Sequence, residues 1–155
     1  MDIDHLTLEL TFVGRMALAA LLGFLVGLER ESRGKSAGER TFATVALAAA
    51  GFSGVAIFVF PQTGGQAVAG VAAGIGFLGI GIIWRAEEGQ TRGLTTAASI
   101  LAVAAIGVLA GLGLYLTAVL ATVLVLFVLE FDRVPILSGL HRRVMGGRPD
   151  DDEQS

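Results

Sequence analysis

The first residues whose spacing could carry chemistry are three glycines in the stretch AGIGFLGIG, residues 73–81. Gly74, Gly76 and Gly79 follow the Gly-x-Gly-x-x-Gly pattern with which dinucleotide-binding loops bring the backbone against a pyrophosphate. Such a loop follows a buried strand and has an acidic residue about 20 positions further along the chain. Here the glycines lie inside an uncharged apolar segment, and Ser99 stands 20 positions after Gly79. The sequence therefore predicts no nucleotide cofactor at these glycines, and we expect no other cofactor.

The composition of the chain calls for a different interpretation of the glycines. Of the 155 residues, 54% are apolar and 16% are charged, and residues 41–84 and 93–129 contain no Asp, Glu, Lys or Arg. A bilayer core about 30 Å thick needs about 20 apolar residues in helical form, so each uncharged run is long enough for two spans. The sequence predicts an all-α membrane protein with five transmembrane helices. The expected spans are residues 10–28, 42–60, 67–84, 94–110 and 114–130.

The distribution of basic residues predicts the orientation of these helices. Ten of the eleven Lys and Arg residues lie in the loops after the first and third spans and in the tail. Because cytoplasmic loops are enriched in basic residues, we expect the amino terminus outside and the carboxy terminus in the cytoplasm. The expected organisation is an extracytoplasmic segment at residues 1–9, a five-helix membrane domain at 10–131 and a cytoplasmic tail at 132–155, acidic and disordered at its end.

Within lipid-embedded helices the glycines are expected to form packing surfaces. No hydrophobic force drives such helices together, and small residues let their backbones approach closely. The same surfaces suit docking to another membrane complex, or self-association into a homo-oligomer. The glycines predicted to pack are Gly23, Gly27, Gly70, Gly74, Gly76, Gly79, Gly81, Gly107 and Gly111.

Polar side chains recur where the first, second and fourth spans meet the cytoplasmic side. Glu29 directly follows the first span, at the carboxy-terminal end of its helix, where the negative end of the helix dipole disfavours an anion, so it needs a cationic partner. Arg40 and Arg92 precede the second and fourth spans on the same side, and either can form a bidentate pair with Glu29. Threonines at these helix starts can cap them. The predicted cluster comprises Glu29, Arg30, Arg40, Thr41, Arg92, Thr95 and Thr96.

The sequence leaves two interpretations of this cluster open. It is either an ion-pair clasp that joins two helical hairpins, or a site for an anion or a lipid headgroup, since helix amino termini with arginines favour phosphate. Arg15 is a separate feature, because it carries a charge inside the first span. We expect Arg15 to snorkel to the outer headgroups, with pairing to Glu9 or a place in a polar cavity as alternatives.

The residue types argue against several classes of function. The chain has no Cys, both His residues lie outside the spans, and no Ser/His/Asp set or metal-ligand spacing appears, so we expect no catalytic residue and no metal site. A magnesium channel is expected to carry acidic residues in mid-membrane, and the spans have none. A regulator that binds another membrane complex needs no such charge. We expect a regulator, with ion transport or a transport-accessory role as the alternative, and no nucleic-acid partner.

Three blocks of sequence resemble the signatures of a known family. GLERESRGKSAGERT, GIGFLGIGIIWR and RGLTTAASI begin at residues 27, 74 and 92, in the order and spacing typical of the MgtC/SapB family of bacterial inner-membrane proteins. The resemblance covers roughly residues 10–131. Departures from the residues common in these blocks occur at Glu39, Phe42, Ile80 and Leu101.

The resemblance implies a multi-pass protein of the bacterial inner membrane with five spans, linked to survival under magnesium limitation and, in pathogens, to virulence. It also implies either a magnesium-transport accessory role or inhibition of the F-type ATP synthase. Many family members continue into a soluble carboxy-terminal domain, and we expect this chain to be a short member without it.

Overall fold

The computed structural model describes residues 3–84 and 93–130, and all regular structure in this part of the chain is helical. The first four helices are 18 residues or longer and apolar enough to cross a membrane, whereas the fifth has 16 residues. The all-helical fold is confirmed, and the use of the fifth helix as a span stays a prediction. The helices are α1 (Ile3–Ser32), α2 (Glu39–Val59), α3 (Gly64–Trp84), α4 (Leu94–Gly111) and α5 (Tyr115–Glu130).

The first helix begins well before the predicted span. The apolar run starts at Leu10, but α1 starts at Ile3 and contains 30 residues. Leu and Glu between these positions favour a helix, and Asp4 in the first turn complements the positive end of the helix dipole. At 1.5 Å per residue, α1 is about 45 Å long, more than a bilayer core of about 30 Å requires. Most of the predicted extracytoplasmic segment is therefore part of α1.

Helix α4 lies at the centre of the bundle and contacts each of the other four helices. Its Ile100, Val103 and Ile106 are fully buried and share one core with Val26 of α1 and Phe42 of α2. Between helices in lipid, such side chains stabilise the fold by close van der Waals packing rather than by leaving water. The core therefore depends on how tightly α1 and α2 approach α4.

Glycines allow α2 to lie close to the helices on both of its sides. A Cβ atom added at Gly23 of α1 would lie 2.8 Å from the Ala46 Cβ atom, and one added at Gly107 of α4 would lie 2.9 Å from the Ala46 Cα atom. Gly27 and Gly111 approach the α2 backbone equally closely. A larger residue at any of these four positions would require α2 to shift.

Helix α3 has few buried residues, because it lies at the edge of the bundle against α2 and α4. Of its described residues only Gly64 and Gly79 are buried, and a Cβ at Gly79 would meet Ala97 of α4 at an ordinary 3.5 Å. Within 4 Å of a Cβ at the other predicted packing glycines of α3 the structure places no atom. Packing of those glycines therefore does not occur among the described residues. They are Gly70, Gly74, Gly76 and Gly81.

Candidate functional site at the polar end of the bundle

The end of α1, the start of α4 and the end of α5 meet at one end of the bundle. Arg30 of α1 contacts Thr96 in the first turn of α4, and Arg33, which follows α1, contacts Glu130 at the end of α5. We call Glu29, Arg30, Arg33, Thr96 and Glu130 the polar cluster. It brings together three helices that are far apart in the sequence.

Arg33 bridges two carboxylates in this cluster. Its Nε atom contacts Glu29 Oε1, and its Nη2 atom lies 2.6 Å from Glu130 Oε1. The side chains of Glu29 and Arg33 are 10% and 17% exposed, whereas that of Glu130 is 43% exposed. Removal of one partner from a buried pair leaves the other charge without compensation, so such pairs resist disruption. Arg33 therefore ties the end of α5 to the end of α1.

The partner that the structure describes for Glu29 is Arg33, which was not predicted. Glu29 pairs with Arg33 and not with Arg40, because Arg33 lies one helical turn away and reaches the carboxylate along the same surface. The Arg40 side chain is 95% exposed, and its Nε atom lies 4.0 Å from Glu39 Oε1. Arg92, the other predicted partner, lies outside the described residues. Sequence reasoning missed Arg33 and Glu130, although the Glu29-x-x-x-Arg33 spacing is a signal for a helical ion pair.

The start of α2 is stabilised by a carboxylate from α1 and not by its own threonine. Gly38 occupies the N-cap position without a side-chain hydrogen bond, so the capping predicted for Thr41 does not occur. The Glu39 N–H instead donates to Glu31 Oε2 at 3.2 Å. A negative charge at this position also complements the positive end of the α2 dipole. Glu31 thus fixes the loop between α1 and α2.

The start of α4 has no side-chain cap. Gly93 is the N-cap residue, with a φ of 100° that favours glycine, and no side-chain hydrogen bond is formed there. Thr95 is exposed and does not supply the predicted cap. Thr96 is 3% exposed, and its Oγ1 atom accepts a hydrogen bond of 3.2 Å from Arg30 Nη2. The first turn of α4 is therefore contacted by an arginine from α1.

Among the described residues, Arg30 is the only buried charged residue, at 3% exposure. Its Nε atom has no hydrogen-bond partner. No carboxylate oxygen of residues 3–84 or 93–130 lies within 4.0 Å of its guanidinium nitrogens. Arg30 was predicted as a member of the cluster but without a role of its own. The structure gives it the most unusual environment in the cluster.

The opposite end of the bundle holds Arg15. Its Nη1 atom donates to the carbonyl of Gly111 at 3.0 Å, and its Nε atom donates to the Tyr115 hydroxyl at 3.2 Å. Gly111 is the last residue of α4, so the guanidinium lies at the negative end of that helix dipole. These partners belong to the bundle, whereas the snorkelling prediction places Arg15 among the headgroups. Arg15 therefore joins α1 to the turn between α4 and α5.

Polar side chains inside the helices hydrogen-bond to their own backbone. Ser53, Ser99 and Thr122 are buried, and each donates to a carbonyl three or four residues earlier at 2.7–2.9 Å. Among the described residues there is also no group of three or more His, Asp or Glu that could hold a metal ion. The described interior therefore presents no cluster of ligands for a cation.

Comparisons with known proteins agree on one family. A model described as MgtC family matches residues 16–134. Protein MgtC of Salmonella typhimurium strain LT2 is 44% identical over 115 residues, which are 74% of this chain and 49% of that protein. Protein MgtC of Brucella abortus strain 2308 is 45% identical over 114 residues, which are 73% of this chain and 48% of that protein.

A second kind of relative is matched over more of its length. Protein SrpB of Synechococcus elongatus is 37% identical over 143 residues, which are 83% of this chain and 79% of that protein. The chain spans about half the length of the MgtC relatives it matches. No solved structure matches it.

Proposed function

This chain belongs to the MgtC family, and from that premise we propose that it regulates ion or energy homeostasis, as in adaptation to magnesium limitation. We further propose that it acts without catalysis, as a multi-pass protein of the bacterial inner membrane. The observation that carries the proposal is the extent of the family match, which begins within α1 and continues past the end of α5. The match includes both the central helix α4 and the polar cluster.

We propose that the regulator acts by binding another membrane complex, such as the F-type ATP synthase. Gly70, Gly74 and Gly81 lie on one face of α3, because spacings of four and eleven residues return to nearly the same angle on a helix. That face is open, and its small residues would let a partner helix approach closely. Self-association through the same face is the competing use of this surface.

Two features favour a regulator over an ion transporter. The acidic residues of the described helices lie at or beyond the ends of the apolar segments, whereas an ion path is typically marked by charges near mid-membrane. The buried hydroxyls of Ser53, Ser99 and Thr122 donate to carbonyls of their own helices, and the described residues place no group of three or more His, Asp or Glu beside them. Both features support a role in which the helices present surfaces.

The test is ATP-driven proton pumping in inverted bacterial membrane vesicles, with and without the protein at a matched level. We expect reduced pumping with unchanged passive proton leak. Gly74→Leu should relieve the inhibition by blocking close approach to α3, whereas Ala48→Leu, at an exposed small residue of α2, should not. Unaltered pumping with the wild-type protein would exclude the ATP synthase as the target and return attention to ion flux.

A further inference from the structure

Arg30 is a buried cation that forms no ion pair within 4.0 Å among the described residues, although the Glu29 carboxylate acts on it electrostatically. Its side chain comes from the last turns of α1, is 3% exposed, and has no carboxylate oxygen within 4.0 Å among the described residues. A buried charge is costly unless it is paired and hydrogen-bonded. The nearest acidic neighbour in sequence, Glu29, is engaged by Arg33, which also binds Glu130. Arg30 therefore shares the charge of Glu29 with Arg33 and keeps an Nε donor without a hydrogen-bond partner.

Arg30 contacts the start of a helix, where the first N–H groups have no acceptor within the helix itself. Its Nη2 atom contacts Thr96, the third residue of α4, while its Nε donor remains without a partner. The first N–H group of α4 with a backbone acceptor one turn earlier is that of Ala97, which donates to the Gly93 carbonyl. The N–H groups of residues 94–96 precede it, and such groups have no acceptor within a helix. The N-cap residue, Gly93, forms no side-chain hydrogen bond with these N–H groups.

These donors match the chemistry of a phosphate group. A tetrahedral oxyanion has several acceptor oxygens, so it can take the fork of a guanidinium and backbone N–H groups at the same time. Thr96 Oγ1 accepts its bond from Arg30, so the Thr96 hydroxyl proton is available to donate to the same group. The positive end of the α4 dipole adds to the attraction. A helix start and a buried arginine with an unpartnered Nε donor thus point to the same ligand.

We propose that Arg30, Thr96 and the first turn of α4 form a binding site for a phosphate group. The phosphate belongs either to a lipid headgroup at the membrane surface or to a soluble phosphate. Arg30 and Thr96 belong to the cluster expected from the sequence, whereas Arg40 is 95% exposed and takes no part in the site. It stands independently of the proposed action on another membrane complex.

The first experiment measures thermal unfolding of the purified full chain in maltoside micelles by circular dichroism. One arm titrates sodium phosphate against sodium chloride at constant ionic strength. The other titrates short-chain phosphatidylglycerol against a monoacylglycerol of equal chain length, which lacks the phosphate. We expect a saturable rise in the unfolding temperature with at least one phosphate-bearing probe. A rise with the lipid alone identifies a headgroup site, whereas a rise with both probes shows that the phosphate suffices.

Variants then locate the response on the protein. Arg30→Gln should weaken the apparent affinity for the active probe at least about ten-fold, because it removes a charge-assisted bidentate contact. Arg40→Gln is the matched control at an exposed arginine of the same end, and its affinity should stay within about two-fold of wild type. Arg30→Lys and Thr96→Val approximately preserve the side-chain volume. They replace Arg30→Gln in the affinity measurement if that variant does not fold. Both should bind more weakly than wild type.

The outcomes that overturn the proposal are specific. One is the absence of any saturable response of the wild-type protein to both phosphate-bearing probes. Another is an equal response to phosphatidylglycerol and to the phosphate-free lipid. A third is wild-type affinity in both Arg30→Lys and Thr96→Val, because these changes remove the guanidinium fork and the hydroxyl that define the site.

Discussion

Arg33 Nη2 lies 2.6 Å from Glu130 Oε1, so the residue that follows the first helix contacts the last residue of the fifth. The same guanidinium also contacts Glu29 through its Nε atom. Among the described helices α5 packs against α1 and α4, and this contact adds an ion pair at its end. Arg33 thus links the end of α1 to the end of α5 by contacting one carboxylate on each helix.

Replacement of Arg33 by Gln should destabilise the protein by about 3 kcal/mol, because the largely buried Glu29 then loses the cation that contacts it. Glu130→Gln removes a pair whose carboxylate is 43% exposed, and should cost about 0.5 kcal/mol. Thermal unfolding in detergent measures both changes. Equal losses for the two variants would contradict the assignment of Arg33 as the buried bridge.

The glycines of α4 and α3 should respond in opposite ways to the same substitution. Gly107→Ala forces a Cβ against the Ala46 backbone and should destabilise the bundle by about 2 kcal/mol or more. Gly74→Ala places its Cβ in open space and should be neutral or stabilising by up to about 1 kcal/mol, since Ala favours a helix. Thermal unfolding of the two variants, measured side by side in detergent, tests this difference in stability. A destabilised Gly74→Ala monomer would show that α3 packs more closely than described.

Arg15 should contribute to stability through the end of α4. Arg15→Gln removes the bonds to the Gly111 carbonyl and the Tyr115 hydroxyl together with a charge at the helix terminus, and should cost about 1–2 kcal/mol. Tyr115→Phe removes one of these bonds and should cost about 0.5–1 kcal/mol. If Arg15 served only the headgroups, Tyr115→Phe would leave the unfolding temperature unchanged.

The proposed orientation can be tested directly because the chain contains no cysteine. Thr63→Cys lies in the turn between α2 and α3, and Ser36→Cys lies in the basic loop between α1 and α2. The amino terminus is expected outside, so a membrane-impermeant maleimide should label Thr63→Cys in intact cells with the outer membrane opened. Ser36→Cys should react only after the inner membrane is opened. The reverse pattern would place the polar cluster on the outer side.

The positions of the helices follow closely from the sequence, because uncharged runs long enough to span a bilayer are visible without a structure. The start of α1 did not follow in the same way. Residues before Leu10 are polar enough to resemble a loop, yet Leu and Glu favour a helix that continues beyond the apolar region. Hydropathy therefore located the apolar part of α1 and not its first residue.

The use of each glycine was not predictable, since Gly74 and Gly107 both belong to small-residue patterns in apolar helices. Whether such a residue contacts another helix depends on the rotation of its helix about its own axis. Gly107 faces Ala46 of α2, whereas no described atom lies near a Cβ at Gly74. That rotation is set by packing across the whole bundle, which a single sequence does not specify.

Of the residues predicted for the polar cluster, the structure brings Glu29, Arg30 and Thr96 to one end of the bundle. Successive residues of a helix point about 100° apart, so Glu29 and Arg30 face different neighbours although they are adjacent. Glu29 contacts Arg33, and Arg30 contacts Thr96 of α4. The four-residue spacing to Arg33 was readable in the sequence. The burial of Arg30 and the exposure of Arg40 arise only when the helices are assembled.

The measurement that tests the central claim most directly is growth in magnesium-limited medium of a bacterial strain lacking its own members of this family. The strain would express this protein, a relative as positive control, or an empty vector, with protein levels in the membrane matched. The account predicts that this protein restores growth at low magnesium and makes no difference at high magnesium. Growth no better than the empty vector, despite matched amounts of folded protein in the membrane, would contradict the proposed role in magnesium-limited homeostasis.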